Sequence, residues 1–221
     1  MIDISIAPEI TDAGVDLVLG CTTCNVTVSE NDEALVAALD RECATRAADS
    51  AATPPGQVPA VAATRQAYKA LGKDPSRYRP SAEALMRRIA QGKELYRVNT
   101  VVDTNNLVSL RSGHSIGAYR LDALAPPLLC RRGAAGESYE AIGRGPLNLE
   151  GLPLLADTGG PFGSPTSDSA RSMITPETQA ILMVIFGFGD EPAIDEALGF
   201  AVGALSTYCA AQDIDTAIIT A

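Results

Sequence analysis

The chain has 221 residues, 46% of them hydrophobic and 20% charged, with a formal net charge of −10. That apolar fraction can fill a full core as one domain over residues 1–221, which excludes intrinsic disorder, and the acidic balance excludes a protein that coats nucleic-acid backbone through Lys and Arg contacts to phosphates. Five cysteines, an odd number in a chain too large to need covalent staples, read as reduced thiols, and no window approaches the ~18 uninterrupted apolar residues of a membrane span, so a soluble, cytoplasmic protein is predicted.

In chain order, MIDISIAPEITDAG lacks a basic start leading into a long apolar run, so no signal peptide is predicted. Strands are predicted at Ile2–Ile6 and near Val15–Leu19, then a helix from about Asp32 to Ala48 with Leu35, Val36 and Leu39 inward. Ala51 to Pro59 is a proline-bearing connection. Two short helices follow, Ala62–Leu71 and Ser81–Gln91, with Ser81 placed as the N-cap and Gly92 just past the end.

The next helix, Val98 to Arg111 with Gly113 as its stop, puts Val98, Val101, Val102, Val108 and Ser112 on one face at about 3.6 residues per turn. Asn105 falls in the middle of that face. A buried amide without partners costs roughly 1–3 kcal/mol, so Asn105 either caps a neighbouring segment or stays free for a ligand. Asn106 extends the polar spot to the rim. From Ser115 the period becomes that of strands: Ile116, Ala118 and Leu121, then Leu128–Arg131 and Tyr139–Ile142, separated by Gly and Pro as in a strongly bent sheet or partly open barrel. The apolar run Ile181–Phe186 reads as a central strand covered on both sides. A last helix from Pro192 buries Ile194, Leu198, Ala201, Val202 and Leu205, and Ile214–Ile219 returns as a strand. The fold class is mixed α/β, helices covering a sheet.

Two further features point to binding. In the loop Asp157 to Ser172, Gly159, Gly160 and Gly163 let the backbone approach a bound group, while Ser164, Thr166, Ser167, Asp168 and Ser169 supply hydroxyls and a carboxylate; the alternative is a surface turn. Between Arg65 and Arg97 nine basic residues face three acidic ones, a local surplus of six positive charges on an acidic body. Such a segment suits a partner that touches one face, or is a solvated helical surface.

The stretch VVDTNNLVSLRSGHSIGAYRLDAL, followed by Arg131-Arg132 and then LLADTGGPFGSPTSDS, resembles the editing and tRNA-binding domain of the phenylalanyl-tRNA synthetase β subunit, most clearly over residues 65–186. The resemblance implies a freestanding relative with that domain's fold, recognising the 3′ end of an aminoacyl-tRNA and hydrolysing a mischarged ester in trans without metal or cofactor. It implies Asn106 as an orienting group; His114, the single histidine of the sequence, is a candidate general base because imidazole titrates near neutral pH. The resemblance implies a substrate pocket of Asn105, Gly117, Gly159, Gly160, Gly163, Ser164 and Asp168, with Asp168 as the acid that reads a substrate hydroxyl. The family's T-N pair falls on Asn105 and Asn106, and its histidine falls on Gly117; His114 stands three positions earlier. Arg87, Arg88 and Arg97 of the basic segment would meet the tRNA. A binding module that has lost the chemistry, and an interaction protein that docks an acidic partner on its basic segment, are the rival readings.

Other spacings carry less. Cys21-Thr-Thr-Cys24 has metal or redox spacing without a second pair. Asp157-Thr158-Gly159 copies an aspartic-protease triplet without a second lobe, Gly187-Phe-Gly189 is too short to cradle a dinucleotide, and there is no P-loop.

Overall fold

A computed structural model describes residues 3–221. Strand β1 (Ile4–Ile6) and the short helix α1 (Pro8–Asp12) lead into β2 (Leu17–Asn25), then helices α2 (Glu33–Asp49), α3 (Pro59–Ala70), α4 (Ser81–Ala90) and α5 (Thr100–Ser112). Strands β3 (Ser115–Arg120), β4 (Leu128–Arg132), β5 (Ser138–Ala141), β6 (Gly145–Asn148), β7 (Pro153–Asp157), β8 (Gly160–Gly163) and β9 (Ala180–Phe188) follow, and α6 (Glu191–Tyr208) and β10 (Gln212–Thr220) close the order. The strands form two open four-stranded sheets, β1-β4-β7-β8 and β10-β2-β9-β3, and a β5-β6 hairpin. The barrel-like strand pattern therefore resolves into open sheets. Among the described residues no helix is long and apolar enough to cross a membrane.

β9 lies between β2 and β3 in antiparallel register, the central place its unbroken apolar run requires. Alternation along the strands splits the core in two. Ile181, Met183, Ile185, Ile116 and Ala118 face Val101 and Val108 of α5 and Ile194, Ala197 and Leu198 of α6. Leu182, Val184, Phe186 and Tyr119 face the other way, against Cys130, Leu155 and Phe162 of the second sheet, Ala67 of α3 and Leu71 at its C-cap. α6 lies so close to β9 that a side chain at Gly187 would collide with Ile194, which gives the Gly187-Phe-Gly189 spacing a packing role.

Helix ends follow from local chemistry. Asp32 caps α2 by accepting from the Leu35 amide at 2.8 Å, and Asp190 caps α6 through Ala193 at 3.1 Å. α5 stops at Gly113, whose φ of 80° is the left-handed conformation glycine accepts without penalty. Two starts differ from the sequence reading. Pro80, not Ser81, takes the N-cap place of α4, and the Ser81 amide donates instead to the Pro165 carbonyl at 2.8 Å. α5 begins at Thr100 because Asn99 caps it, so Val98, expected on the inner face, lies before the helix and is 56% exposed. β2 runs six residues past its expected end at Leu19, since pairing with both β9 and β10 carries the weak strand formers Gly20 and Asn25.

Candidate functional site

Asp168 anchors the candidate site. Its Oδ1 accepts a hydrogen bond from the Tyr119 hydroxyl at 2.9 Å. Tyr119 rises from β3 and folds back over Gly117, two residues earlier on the same strand face, and its phenol lies in a slot between Gly117 and Gly163. A Cβ at either glycine would fall well inside contact distance of that hydroxyl. Phe162 packs edge-on to the Tyr119 ring, with centroids 4.9 Å apart and planes at 84°.

The loop that carries Asp168 is pinned from every side. Tyr139 of β5 donates to the Ser167 carbonyl and lies 3.1 Å from Ser164 Oγ, and Ser164 Oγ itself lies 2.9 Å from the Ser167 carbonyl. Tyr68 of α3 meets Thr166 Oγ1 at 2.9 Å, and the α4 amide of Ser81 holds Pro165. Three tyrosines distant in sequence thus close one polar enclosure, its loop flanked by the basic helices α3 and α4. The sequence reading missed all three. The available signal was the pair Gly117 and Tyr119, a glycine and a large aromatic two apart on one strand face.

Burial pushes the Asp168 carboxyl up to about 7, against the hydrogen bonds from Tyr119 and from the Ser164 backbone. The residue keeps some exposed surface, yet burial dominates its acidity. Its folded pKa lies above the unfolded value of about 4, so the native state holds the proton between those limits. The resulting stabilisation is full below about pH 4 and is lost as pH rises to about 7. Asp168→Asn should remove this dependence, and the difference between wild-type and variant urea midpoints should move in the variant's favour as pH rises across that window. A difference that stays constant with pH would reject the assignment.

Of the residues expected at one pocket, Gly117, Gly163, Ser164 and Asp168 come together. The others do not join them. Gly159 lies in the turn of the β7–β8 hairpin and Gly160 opens β8, where Asp157 accepts from the Gly159 amide and pairs with Arg171 at 2.7 Å. Burial raises the Asp157 carboxyl, but the Arg171 hydrogen bonds and the amides of Ala125 and Gly159 outweigh it and bring it below its ordinary value. This carboxylate organises a turn.

Asn105 and Asn106 ride on α5, on the opposite face of the β10-β2-β9-β3 sheet from Tyr119. Asn105 Nδ2 donates to the Ile116 carbonyl at 3.3 Å, on the outer edge of β3, so this amide caps a strand edge; its Oδ1 is buried without a partner among the described residues. His114 is buried just before β3, three residues from the Gly117 slot, a separation of about 10 Å along extended chain. Burial pushes its imidazole down, opposed by a hydrogen bond with the Phe186 backbone and by the Asp190 charge.

The arginines expected to meet RNA are partly engaged. Arg87 Nε donates to Glu83 at 2.7 Å, Arg97 pairs with Asp40 at 2.5 Å, and Arg88 donates to the Glu94 carbonyl and lies 4.0 Å over the ring of Tyr96. Tyr96 is 72% exposed. Lys73, counted in the basic segment, is buried and bound to the Asn148 and Glu150 carbonyls. Arg131 makes two bonds to Glu137, at 2.6 and 2.8 Å. Cys21 and Cys24 belong to opposite faces of the central sheet, and burial lifts each thiol to about 12. They cannot grip a common ion.

Fold and site together define an open-sheet α/β protein with an enclosed carboxyl ringed by tyrosine and serine hydroxyls beside two basic helices. The chain belongs to the B3/4 domain family, whose sequence profile matches residues 63–204. Among solved structures it is similar to an N-terminal fragment of the phenylalanyl-tRNA synthetase β subunit from Pyrococcus horikoshii, at 14% identity and a TM-score of 0.51. That similarity covers 99% of this chain and 50% of the other, so the chain spans about half the length of that fragment. No curated protein matches it.

Proposed function

We propose that this protein recognises the 3′ end of an aminoacyl-tRNA, with α3, α4 and the segment after α4 meeting the RNA and the Asp168 enclosure lying beside them. Membership of the B3/4 family and the likeness to a synthetase β-subunit fragment support the RNA partner. So do the stacked Arg88–Tyr96 pair, an exposed aromatic face of the kind bases stack on, and the adjoining Arg87. Trans-editing of a mischarged ester is the more specific version of this reading, in which Asp168 reads an aromatic hydroxyl on the bound amino acid.

One observation favours recognition without cleavage: the protein's own Tyr119 phenol already fills the slot and occupies Asp168. Asn106 and His114, the groups implied for the chemistry, stand apart from it. The decisive experiment offers the pure protein a panel of correctly and incorrectly charged tRNAs and reads both binding and ester cleavage. Salt-sensitive tRNA binding with no deacylation above buffer is expected. Deacylation of an incorrectly charged member in preference to its correctly charged counterpart would establish trans-editing instead, and absence of tRNA binding would reject both versions.

A further inference from the structure

Glu83 lies in the first turn of α4 with its side chain 0% exposed, and three guanidinium groups converge on it. Arg65 of α3 donates from Nη1 to Oε2 at 2.8 Å, Arg87 donates from Nε to Oε1 at 2.7 Å, and Arg79 Nε stands 3.8 Å from Oε1. Arg65 also donates to the Pro75 carbonyl at 3.2 Å and lies 3.4 Å from Ser76 Oγ, so its plane is fixed. One carboxylate facing three cations leaves two positive charges uncompensated within the cluster. Arg65 is turned inward, whereas the side chains of Arg79 and Arg87 are 42% and 45% exposed. Gly56 borders the cluster without a side chain, its Cβ position 3.7 Å from Arg87 Nη2.

We propose that Arg79 and Arg87, positioned by the buried Arg65–Glu83 pair, form a binding site for a phosphate group. Guanidinium planes suit phosphate oxygens because their N–H donors match them in pairs, and anchoring on a common carboxylate reduces the side-chain freedom lost when an anion arrives. Glu83 is the positioning residue. It holds two cations near one another that would otherwise repel. As a contact for RNA the site rests on the function proposed above; as a phosphate site it stands by itself, and a free phosphoryl group has the same chemistry.

The test titrates the full-length chain with inorganic phosphate and with a short single-stranded oligoribonucleotide at several chloride concentrations. It compares wild type with Arg79→Gln/Arg87→Gln, retaining Arg65 and Glu83. Wild type should bind both ligands, and the double variant should lose at least tenfold in phosphate affinity and show an RNA salt slope shallower by about 1 to 2. Phosphate binding without RNA binding by wild type would keep the site and assign it to a small phosphorylated ligand. Undiminished binding of both ligands by a folded double variant would overturn the proposal, as would failure of wild type to bind either. Should the double variant not fold, Arg79→Gln, which gives up only the longer ion pair, supports the same comparison. Intact tRNA held equally by wild type and the double variant would remove this site while leaving tRNA recognition standing. Phosphate binding lost in the variant, with no tRNA binding by wild type, would do the reverse.

Discussion

Tyr119→Ala should destabilise the protein by about 3–5 kcal/mol, as expected when a fully buried aromatic ring is cut back to a methyl group. Equilibrium urea denaturation measures it. The loss has two parts: a hollow bounded by Phe162, Gly117 and Gly163, and an Asp168 carboxyl deprived of its hydroxyl donor. Tyr119→Phe separates them, because it keeps the ring and removes only the hydrogen bond, at a cost of about 1–3 kcal/mol. The hollow left by alanine is apolar along its walls and polar at Asp168, so it should accept free phenol, and phenol should raise the melting temperature of Tyr119→Ala well beyond the effect of benzene. Equal effects would show that Asp168 contributes nothing to reading a hydroxyl. The same variant bears on function. If Tyr119 is what withholds the enclosure from an aminoacyl group, its removal should improve binding of tyrosine-charged tRNA over alanine-charged tRNA.

The enclosure explains why part of this protein was legible in its sequence and part was not. Elements fixed by local chemistry were readable: α2 from Asp32, α6 from Pro192, the end of α5 at Gly113, and β9 from six consecutive apolar residues. Strands built from poor strand formers were not: β6 and β8 carry Gly145, Pro146, Gly160 and Pro161 and are held by their hairpin neighbours β5 and β7. Of the residues the family resemblance carried into one pocket, the fold brings Gly117, Gly163, Ser164 and Asp168 near one another. The resemblance placed Asn105 there as well, since periodicity says that a residue faces inward but not which side of a sheet its helix covers. Gly117, the position onto which the resemblance carries the family's histidine, has no side chain here, and the Tyr119 phenol lies where a Cβ at that position would stand, a contact that no residue-by-residue carry-over reveals.

Arg65→Met should cost about 3 kcal/mol, the largest loss among the arginines of the basic segment. Removing one partner from a buried ion pair typically costs about 3–5 kcal/mol, because the remaining charge is left desolvated. Glu83 is fully shielded and Arg65 is its least exposed partner, at 22%, so the carboxylate cannot recover this bond from water. The bond from Arg87 remains, which places the expected loss at the lower end of that range. Arg87→Gln should cost far less. Its side chain is the more exposed, it pairs across one turn of α4, and Arg65 continues to hold the carboxylate. Thermal or urea unfolding of the two variants side by side therefore reads which arginine anchors Glu83 and which faces outward. Equal losses would mean that Arg87 is as structural as Arg65, and a phosphate site built on its outward charge would lose its physical basis. Glu83→Gln supplies the complementary measurement: with the anchor neutralised, the three guanidinium groups repel, and the variant's stability should rise with added salt more than that of wild type as the repulsion is screened.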